Sequence, residues 1–111
     1  MTVETTDALA AQVREALGLV IDPELGDNIV ELGLVYDVSV GDGGIARIVM
    51  TTTTRGCPAT AYLKDGARDS AWTVPGIEFV EVDLTYEPLW TPEMMTPHAR
   101  LRLGIRDAGG W

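Results

Sequence analysis

The sequence predicts a single α/β domain with two layers, in which a small mixed sheet carries helices on one face. Apolar residues recur at spacings of three and four in some segments, as in amphipathic helices, and alternate with polar residues in others, as in half-buried strands. The length of 111 residues is also that of one domain. We therefore expect one core for residues 1–111, with elements in the order helix, strand, strand, helix, strand, helix.

The first helix is predicted from Asp7 to Val20, because its apolar residues share one helical face. These residues are Leu9, Val13, Ala16, Leu17 and Val20. Thr6 or Asp7 can supply the N-cap oxygen. The helix must end before Pro23, because proline disfavours helical geometry in the residue that precedes it. Residues 23–28 are expected to form a loop.

A β-hairpin is predicted around Gly41-Asp42-Gly43-Gly44, the strongest turn signal in the sequence. The flanking strands, residues 34–40 and 45–53, are rich in Val, Ile and Thr. Since side chains alternate between the faces of a strand, one face is expected to hold the apolar residues. They are Leu34, Tyr36, Val38 and Val40 in the first strand and Ala46, Ile48 and Met50 in the second.

The second helix is predicted from Pro58 to Val74 and ends at Pro75-Gly76. A third strand follows, in which Val80, Val82, Leu84 and Tyr86 alternate with polar residues. The intervening helix is long enough to be a crossover if the second and third strands run parallel.

The C-terminal part is predicted to hold a single helical turn and then a short helix. Thr91-Pro92 and Thr96-Pro97 each combine a capping residue with proline at the first helical position. Gly104 can end the second of them. Residues 107–111 are expected to be a loose end.

The charge of the chain limits its partners. A net charge of -9 opposes a phosphate backbone, so we expect no nucleic acid partner. Residues 1–46 hold nine carboxylates and one cation, Arg14. This half is either a solvated face or an acidic docking surface for a basic protein.

The sequence also predicts a cytoplasmic protein with no membrane partner. No apolar run approaches the roughly 18 residues of a membrane span. Residues 1–7 lack the basic stretch and apolar core of a secretory signal.

The segment Thr51-Thr52-Thr53-Thr54-Arg55-Gly56-Cys57-Pro58 leads from the second strand into the second helix. With Pro58 at the first helical position, Cys57 is expected to be the N-cap, where the helix dipole favours its thiolate. Arg55 adds positive charge, Thr54 offers a hydroxyl and Gly56 lets the backbone turn tightly. The alternative is that Cys57 is a small buried apolar residue, as most unpaired cysteines are.

The chain has one cysteine and one histidine, so it cannot complete a metal site of four sulfur or nitrogen ligands alone. Carboxylates, exogenous ligands or a second chain would have to contribute. Asp22 and Glu24, on the rigid Asp22-Pro23-Glu24 turn, could bind a cation or cap the turn. The stiff segment 87–95 holds Trp90, Met94 and Met95, which either pack in the core or bind a partner.

Several motifs together resemble a known family, the SufT and PaaD-like metal-sulfur cluster assembly factors, once catalogued as domain of unknown function fifty-nine. The similarity spans residues 13 to 104, nearly the whole chain. The motifs that carry it are Asp22-Pro23-Glu24-Leu25, the stretch from Asn28 to Tyr36, Gly56-Cys57-Pro58, Pro75-Gly76 and Trp90-Thr91-Pro92-Glu93-Met94-Met95.

The resemblance implies a small cytoplasmic domain that acts in the maturation of iron-sulfur proteins. Its reactive cysteine would be Cys57, which would bind iron or an iron-sulfur cluster transiently, and its acidic motif maps onto Asp22 and Glu24. Scaffold or client proteins would be its partners. Leu89 departs from the family, where many relatives have a second proline. The cysteine-bearing extension of longer phenylacetate-degradation members is also absent, so a role in ring oxidation fits less well.

Three functions follow. The first is an assembly or carrier factor without catalytic activity, in which a homodimer or a partner protein completes the ligands around Cys57. The second is an adaptor subunit of a larger complex, in which Cys57 is structural and the acidic half docks. The third is an enzyme with Cys57 as nucleophile and His98 as base, although no motif links these two residues.

Overall fold

The computed structural model of the chain describes residues 6–53, 56 and 58–104, and this part of the chain contains three helices, three strands and a 3-10 turn. In chain order they are α1 (Thr6–Leu17), β1 (Val35–Gly41), β2 (Ile45–Met50), α2 (Thr60–Trp72), β3 (Phe79–Leu84), the 3-10 turn (Pro92–Met94) and α3 (Pro97–Arg102). The predicted order of elements is confirmed. Residues 107–111, predicted to be a loose end, lie outside the described residues.

The sheet has the strand order β1-β2-β3 and is mixed. β1 and β2 form the predicted antiparallel hairpin, and β2 pairs with β3 in parallel, so α2 is a crossover connection. α1 packs against β1 and α2 against β3. The opposite face is polar and exposed at Asp37, Ser39, Arg47 and Glu81. The prediction of a sheet with helices on one face is therefore confirmed.

The core lies between the sheet and the helices α1 and α2. Alternate residues of β2 point into it, as predicted, and Ala46, Ile48 and Met50 have no exposed surface. The helices contribute apolar residues at helical spacing, namely Leu9, Val13 and Leu17 from α1 and Leu63, Ala67 and Ala71 from α2. Burial of these side chains is the main driving force for folding.

α1 ends earlier than predicted, at Leu17 instead of Val20. The chain turns at Gly18, after which the Val20 carbonyl accepts a hydrogen bond from Ile29. An isolated bridge between Ile21 and Asn28 then closes the predicted loop. Because Val20 pairs with the far side of this loop, it cannot continue the helix.

The prediction of one continuous apolar face on the first strand was wrong at its start. Val35 pairs with Met50, but Asp37 pairs with Val49, so Tyr36 is an extra residue in a β-bulge. The bulge shifts the alternation by one residue, and Val35 is buried as well as Leu34. It also leaves the Tyr36 hydroxyl free to donate a hydrogen bond to the Pro88 carbonyl, at 2.8 Å.

An ion pair between the buried Asp27 and the partly exposed Arg102 fastens α3 to the loop that follows α1. Arg102 donates hydrogen bonds to Oδ2 of Asp27 from Nε at 2.9 Å and from Nη2 at 2.6 Å. Next to it, the Thr96 hydroxyl donates to Oε1 of Glu31 at 3.0 Å and also caps α3. The hydrogen bond from Thr96 lowers the pKa of Glu31, against the effect of burial, and the positive charge of Arg102 lowers it further.

Gly33 has a backbone conformation and a contact that together require glycine. Its φ of 78° lies in the left-handed region, and a Cβ there would overlap the carbonyl group of Met94. Gly43 in the hairpin has the same φ of 78°, but a Cβ there would meet no atom within 4 Å.

We expect Gly43→Ala to lower the free energy of unfolding by about 1 kcal/mol, since alanine is strained at positive φ. Gly33→Ala should cost about 1–3 kcal/mol more, because backbone atoms must also shift. Urea denaturation of both variants measures this difference. Equal losses would contradict the close packing of Gly33 against Met94.

We expect Arg102→Gln to lower the free energy of unfolding clearly more than a matched change at an exposed ion pair, because it leaves the buried Asp27 carboxylate with weaker partners. The control is Arg47→Gln, since the Arg47 ion pair with Asp83 is exposed at both side chains. Such exposed pairs contribute about 0–1 kcal/mol. Urea denaturation at pH 7 compares the two variants, and similar losses would contradict a special role for Arg102.

The same ion pair predicts a dependence of stability on pH. Burial raises the pKa of Asp27, but hydrogen bonds from Arg102 and from the Asn28 N–H lower it more, so the net pKa lies below the ordinary 3.8. The stabilisation is therefore complete above pH 3.8 and is lost as the pH falls through the lower folded-state pKa. The stability difference between the wild type and Asp27→Asn should be constant from pH 7 to pH 5 and shrink below pH 3.8. A constant difference down to pH 2 would contradict this assignment.

Candidate functional site

The connection between β2 and α2, residues 51–59, leaves the sheet at the carboxyl end of β2. Because β3 runs parallel to β2, residues 85 and 86 leave the sheet at the same edge. In open α/β sheets, binding sites form at the carboxyl ends of parallel strands. The predicted site residues Thr54, Arg55 and Cys57 lie outside the described residues, whereas Gly56 and Pro58 are described and exposed.

Two buried threonines begin this connection and anchor it to both neighbouring segments. The Thr51 N–H donates to the Leu34 carbonyl at 2.8 Å, and the hydroxyls of Thr52 and Tyr86 share a hydrogen bond of 2.8 Å. Both threonines are almost completely buried. The first two residues of the connection are thus hydrogen-bonded to the residue that precedes β1 and to the segment that follows β3.

A second tyrosine belongs to the same group of hydroxyls. Burial raises the pKa of Tyr36, although a hydrogen bond with Thr51 acts in the opposite direction. The phenol therefore stays protonated at neutral pH. Together, Tyr36, Thr51, Thr52 and Tyr86 form a hydroxyl cluster at this edge of the sheet.

The two tyrosines of this cluster were not among the predicted site residues. Tyr86 was predicted as part of the apolar face of the third strand, and Tyr36 as part of that of the first. The signal that could have found them is the parallel pairing of β2 and β3, since it places the residues after both strands at one edge.

The prediction of Cys57 as the N-cap of the second helix was wrong. α2 begins at Thr60, and its N-cap is Ala59, whose carbonyl accepts the N–H of Leu63. Residues 58 and 59 form a turn ahead of the helix, so Cys57 precedes the cap by two positions in the sequence. Since the dipole effect is confined to the first helical turn, the N-cap argument for a thiolate no longer applies.

Gly56 lies in a turn of the connection. Its φ is 71°, a left-handed conformation that glycine adopts without steric cost. The prediction of a tight turn at this residue is confirmed.

Asp22 holds the turn that carries the predicted acidic motif. Its side chain is almost fully buried, and Oδ1 accepts the N–H groups of Glu24 at 2.7 Å and Leu25 at 3.2 Å. Glu24 is exposed. Of the two roles considered for Asp22, the geometry shows the capping of the turn.

In the segment 87–95, Trp90, Met94 and Met95 turn inward, whereas Glu87, Pro88, Leu89, Thr91 and Glu93 are exposed. The Trp90 indole N–H donates to the Leu32 carbonyl at 2.7 Å, and the Met94 sulfur accepts a hydrogen bond from the Tyr36 hydroxyl at 3.6 Å. Met95 is part of the core, whereas Leu89 is exposed. A role of Trp90, Met94 and Met95 in partner binding stays a prediction.

His98 lies on the exposed surface of α3. Its neighbours are Glu31, whose Oε1 is 3.6 Å from Nδ1, and Arg102. Its described surroundings are thus the ion-pair cluster of α3.

The described ranges contain no group of three His, Cys, Asp or Glu side chains that could hold a metal ion. Within the same ranges, no helix is both long and apolar enough to span a membrane.

Comparison with known proteins identifies the family. Residues 10–84 match the family described as "Iron-sulfur cluster assembly protein". The chain is 39% identical over 100 residues to the "Fe-S protein maturation auxiliary factor YitW" of Bacillus subtilis (strain 168), which covers 90% of this chain and 98% of the relative. It is 42% identical over 87 residues to the "Fe-S protein maturation auxiliary factor SufT" of Staphylococcus aureus (strain USA300), covering 78% and 99%.

The fold agrees with a solved structure of the same kind. The crystal structure of a "Domain of Unknown Function DUF59" from Bacillus anthracis superimposes with a TM-score of 0.86 at 38% identity, covering 91% of this chain and 96% of that one. The family match includes both parallel strands, the connection between them and its cysteine. The chain therefore belongs to the iron-sulfur cluster assembly protein family.

Proposed function

We propose that this protein assembles or transfers iron-sulfur clusters during the maturation of iron-sulfur proteins in the cytoplasm, without being an enzyme. The observation that carries the proposal is the family match over residues 10–84, which spans the whole β2–α2 connection. Relatives that resemble the chain over nearly their full length are named as maturation auxiliary factors.

In this proposal, Cys57 holds iron or a cluster as cargo. The cysteine follows Gly56 in a connection that begins on the buried pair Thr51 and Thr52. A thiolate is the usual protein ligand of iron-sulfur clusters.

The cargo is expected to be bound transiently, because the chain has one cysteine and clusters usually take four cysteine ligands. A second copy of the chain, a scaffold or client protein, or an exogenous thiol would supply the others. Incomplete ligation by one chain favours release, which suits a transfer factor.

The two acidic residues of the family motif are assigned different roles. Asp22 is occupied in holding its own turn through two backbone N–H groups. Glu24 is exposed, so we assign any auxiliary oxygen ligand to Glu24 rather than to Asp22.

We expect the wild-type protein to retain iron and visible absorbance after anaerobic reconstitution with iron and sulfide, and Cys57→Ser to lose most of both. A relocation control, Cys57→Ser combined with Ser39→Cys, places one thiol on the exposed face of β1. It should not restore binding, because the site around residue 57 is missing. Equal iron in the wild type and Cys57→Ser would overturn direct ligation.

The activity of client iron-sulfur enzymes in cells distinguishes the proposed function from that of an adaptor. In cells that lack the native protein, we expect Cys57→Ala to leave client iron-sulfur enzymes with low activity, although the variant is present at normal levels. Normal client activity with Cys57→Ala would favour an adaptor in which the cysteine is structural.

A further inference from the structure

A shallow groove lies between α1 and α2, and Leu19 stands at its centre. The Leu19 residue is 78% exposed, and depressions of about 320 and 360 Å³ flank it. Tyr62, which is 61% exposed, borders the first depression. We call this surface the Leu19 groove; its residues are Glu15, Leu19, Tyr62, Asp65 and Asp69.

The groove exists because Gly66 lets the chain after α1 approach α2 closely. A Cβ on Gly66 would lie 3.2 Å from Cγ1 of Val20, which is tighter than ordinary van der Waals contact. The backbone of α2 therefore packs against Val20, and the preceding residue, Leu19, is directed outward. Leu19 and Tyr62 thus present two large exposed side chains beside the same depression, and contiguous exposed apolar surface is typical of interaction sites.

The rim of the groove is acidic. Glu15 borders the second depression, and Asp65 and Asp69 border the first, with side chains 61% and 73% exposed. Arg68 lies 3.6 Å from an oxygen of each aspartate and offsets part of their charge. The charged residues that line the two depressions are nevertheless all carboxylates.

We propose that the Leu19 groove binds a basic amphipathic segment of a partner protein. A large apolar side chain of the segment enters the depressions beside Leu19 and Tyr62, and its Lys or Arg residues face the carboxylates of the rim. Apolar anchors supply most of the affinity of such surfaces, while complementary charges steer the approach of the partner.

A second copy of this chain is a poor occupant, because two acidic rims would face each other and each chain carries a net charge of -9. The same negative charge attracts a basic partner. Tyr62 lies in the first turn of α2, five residues after Cys57 in the sequence, so a docked partner would lie beside the β2–α2 connection.

The probe for this proposal is a labelled helical peptide of Leu and Lys with roughly 18 residues, which is about five turns. Fluorescence anisotropy measures its Kd with the wild type, Leu19→Ser and Leu101→Ser. Leu101 on α3 is also 78% exposed and makes a matched control. We expect Leu19→Ser to raise the Kd about tenfold, as expected for loss of one leucine contact, and Leu101→Ser to leave it unchanged.

Charge is tested with two double variants of equal net charge. Asp65→Asn with Asp69→Asn should weaken binding and reduce its salt dependence. Asp37→Asn with Asp42→Asn, at exposed positions away from the groove, should do neither. Equal effects of the two double variants, or of the two leucine variants, would overturn the proposal in favour of nonspecific attraction.

Three further outcomes bear on the proposal. A dimer in analytical ultracentrifugation that Leu19→Ser abolishes would overturn the proposal, because the groove would then bind a second copy. Unchanged peptide affinity in Cys57→Ser would support a surface that works independently of the cysteine. Failure of peptide binding with intact iron binding would reject the groove and leave the proposed function standing.

Discussion

The parallel pairing of β2 with β3 is the constraint on which the candidate site depends. A parallel pair needs a long crossover, here α2, and this crossover must begin at the carboxyl end of one strand and return to the amino end of the other. The segment after β3 then leaves the sheet beside the segment after β2. The hydrogen bond between Thr52 and Tyr86 joins these two exits. An antiparallel pair would have placed the cysteine-bearing connection and Tyr86 at opposite edges.

The C-terminal part of the domain is held by polar contacts as much as by apolar ones. Arg102 reaches back over 75 residues to Asp27, and Thr96 over 65 residues to Glu31. Both contacts end on the loop region between α1 and β1. The turn held by Asp22 lies in that region, so its position is coupled to α3 through buried charge. Of the carboxylates in the acidic first half of the chain, Asp27 and Glu31 thus stabilise the fold, whereas Glu15 belongs to the Leu19 groove.

The order of elements and the buried faces could be predicted from the sequence, because they follow from local periodicity. The alternation in β2 and β3 and the stripe in α1 needed no knowledge of distant residues. The bulge at Tyr36 could not be predicted in this way, since it is matched by an acceptor 52 residues later, the Pro88 carbonyl. The start of α2 was also missed, because Pro58 is compatible with both a turn and a first helical position. For the site, the sequence placed Cys57 in the connection after β2, but the hydroxyl cluster requires the pairing of strands to be known.

The inward contacts of residues 88–96 bear on where the domain ends. Tyr36 contacts Pro88, Trp90 contacts Leu32 and Thr96 contacts Glu31. These three hydrogen bonds join the C-terminal segment to residues 31–36. The family match stops at residue 84, before all three of these partners. A fragment cut at that limit would keep every strand but expose the backbone carbonyl of Leu32 and the face of Gly33. The family model therefore stops short of contacts that complete the domain, and these contacts extend to Arg102.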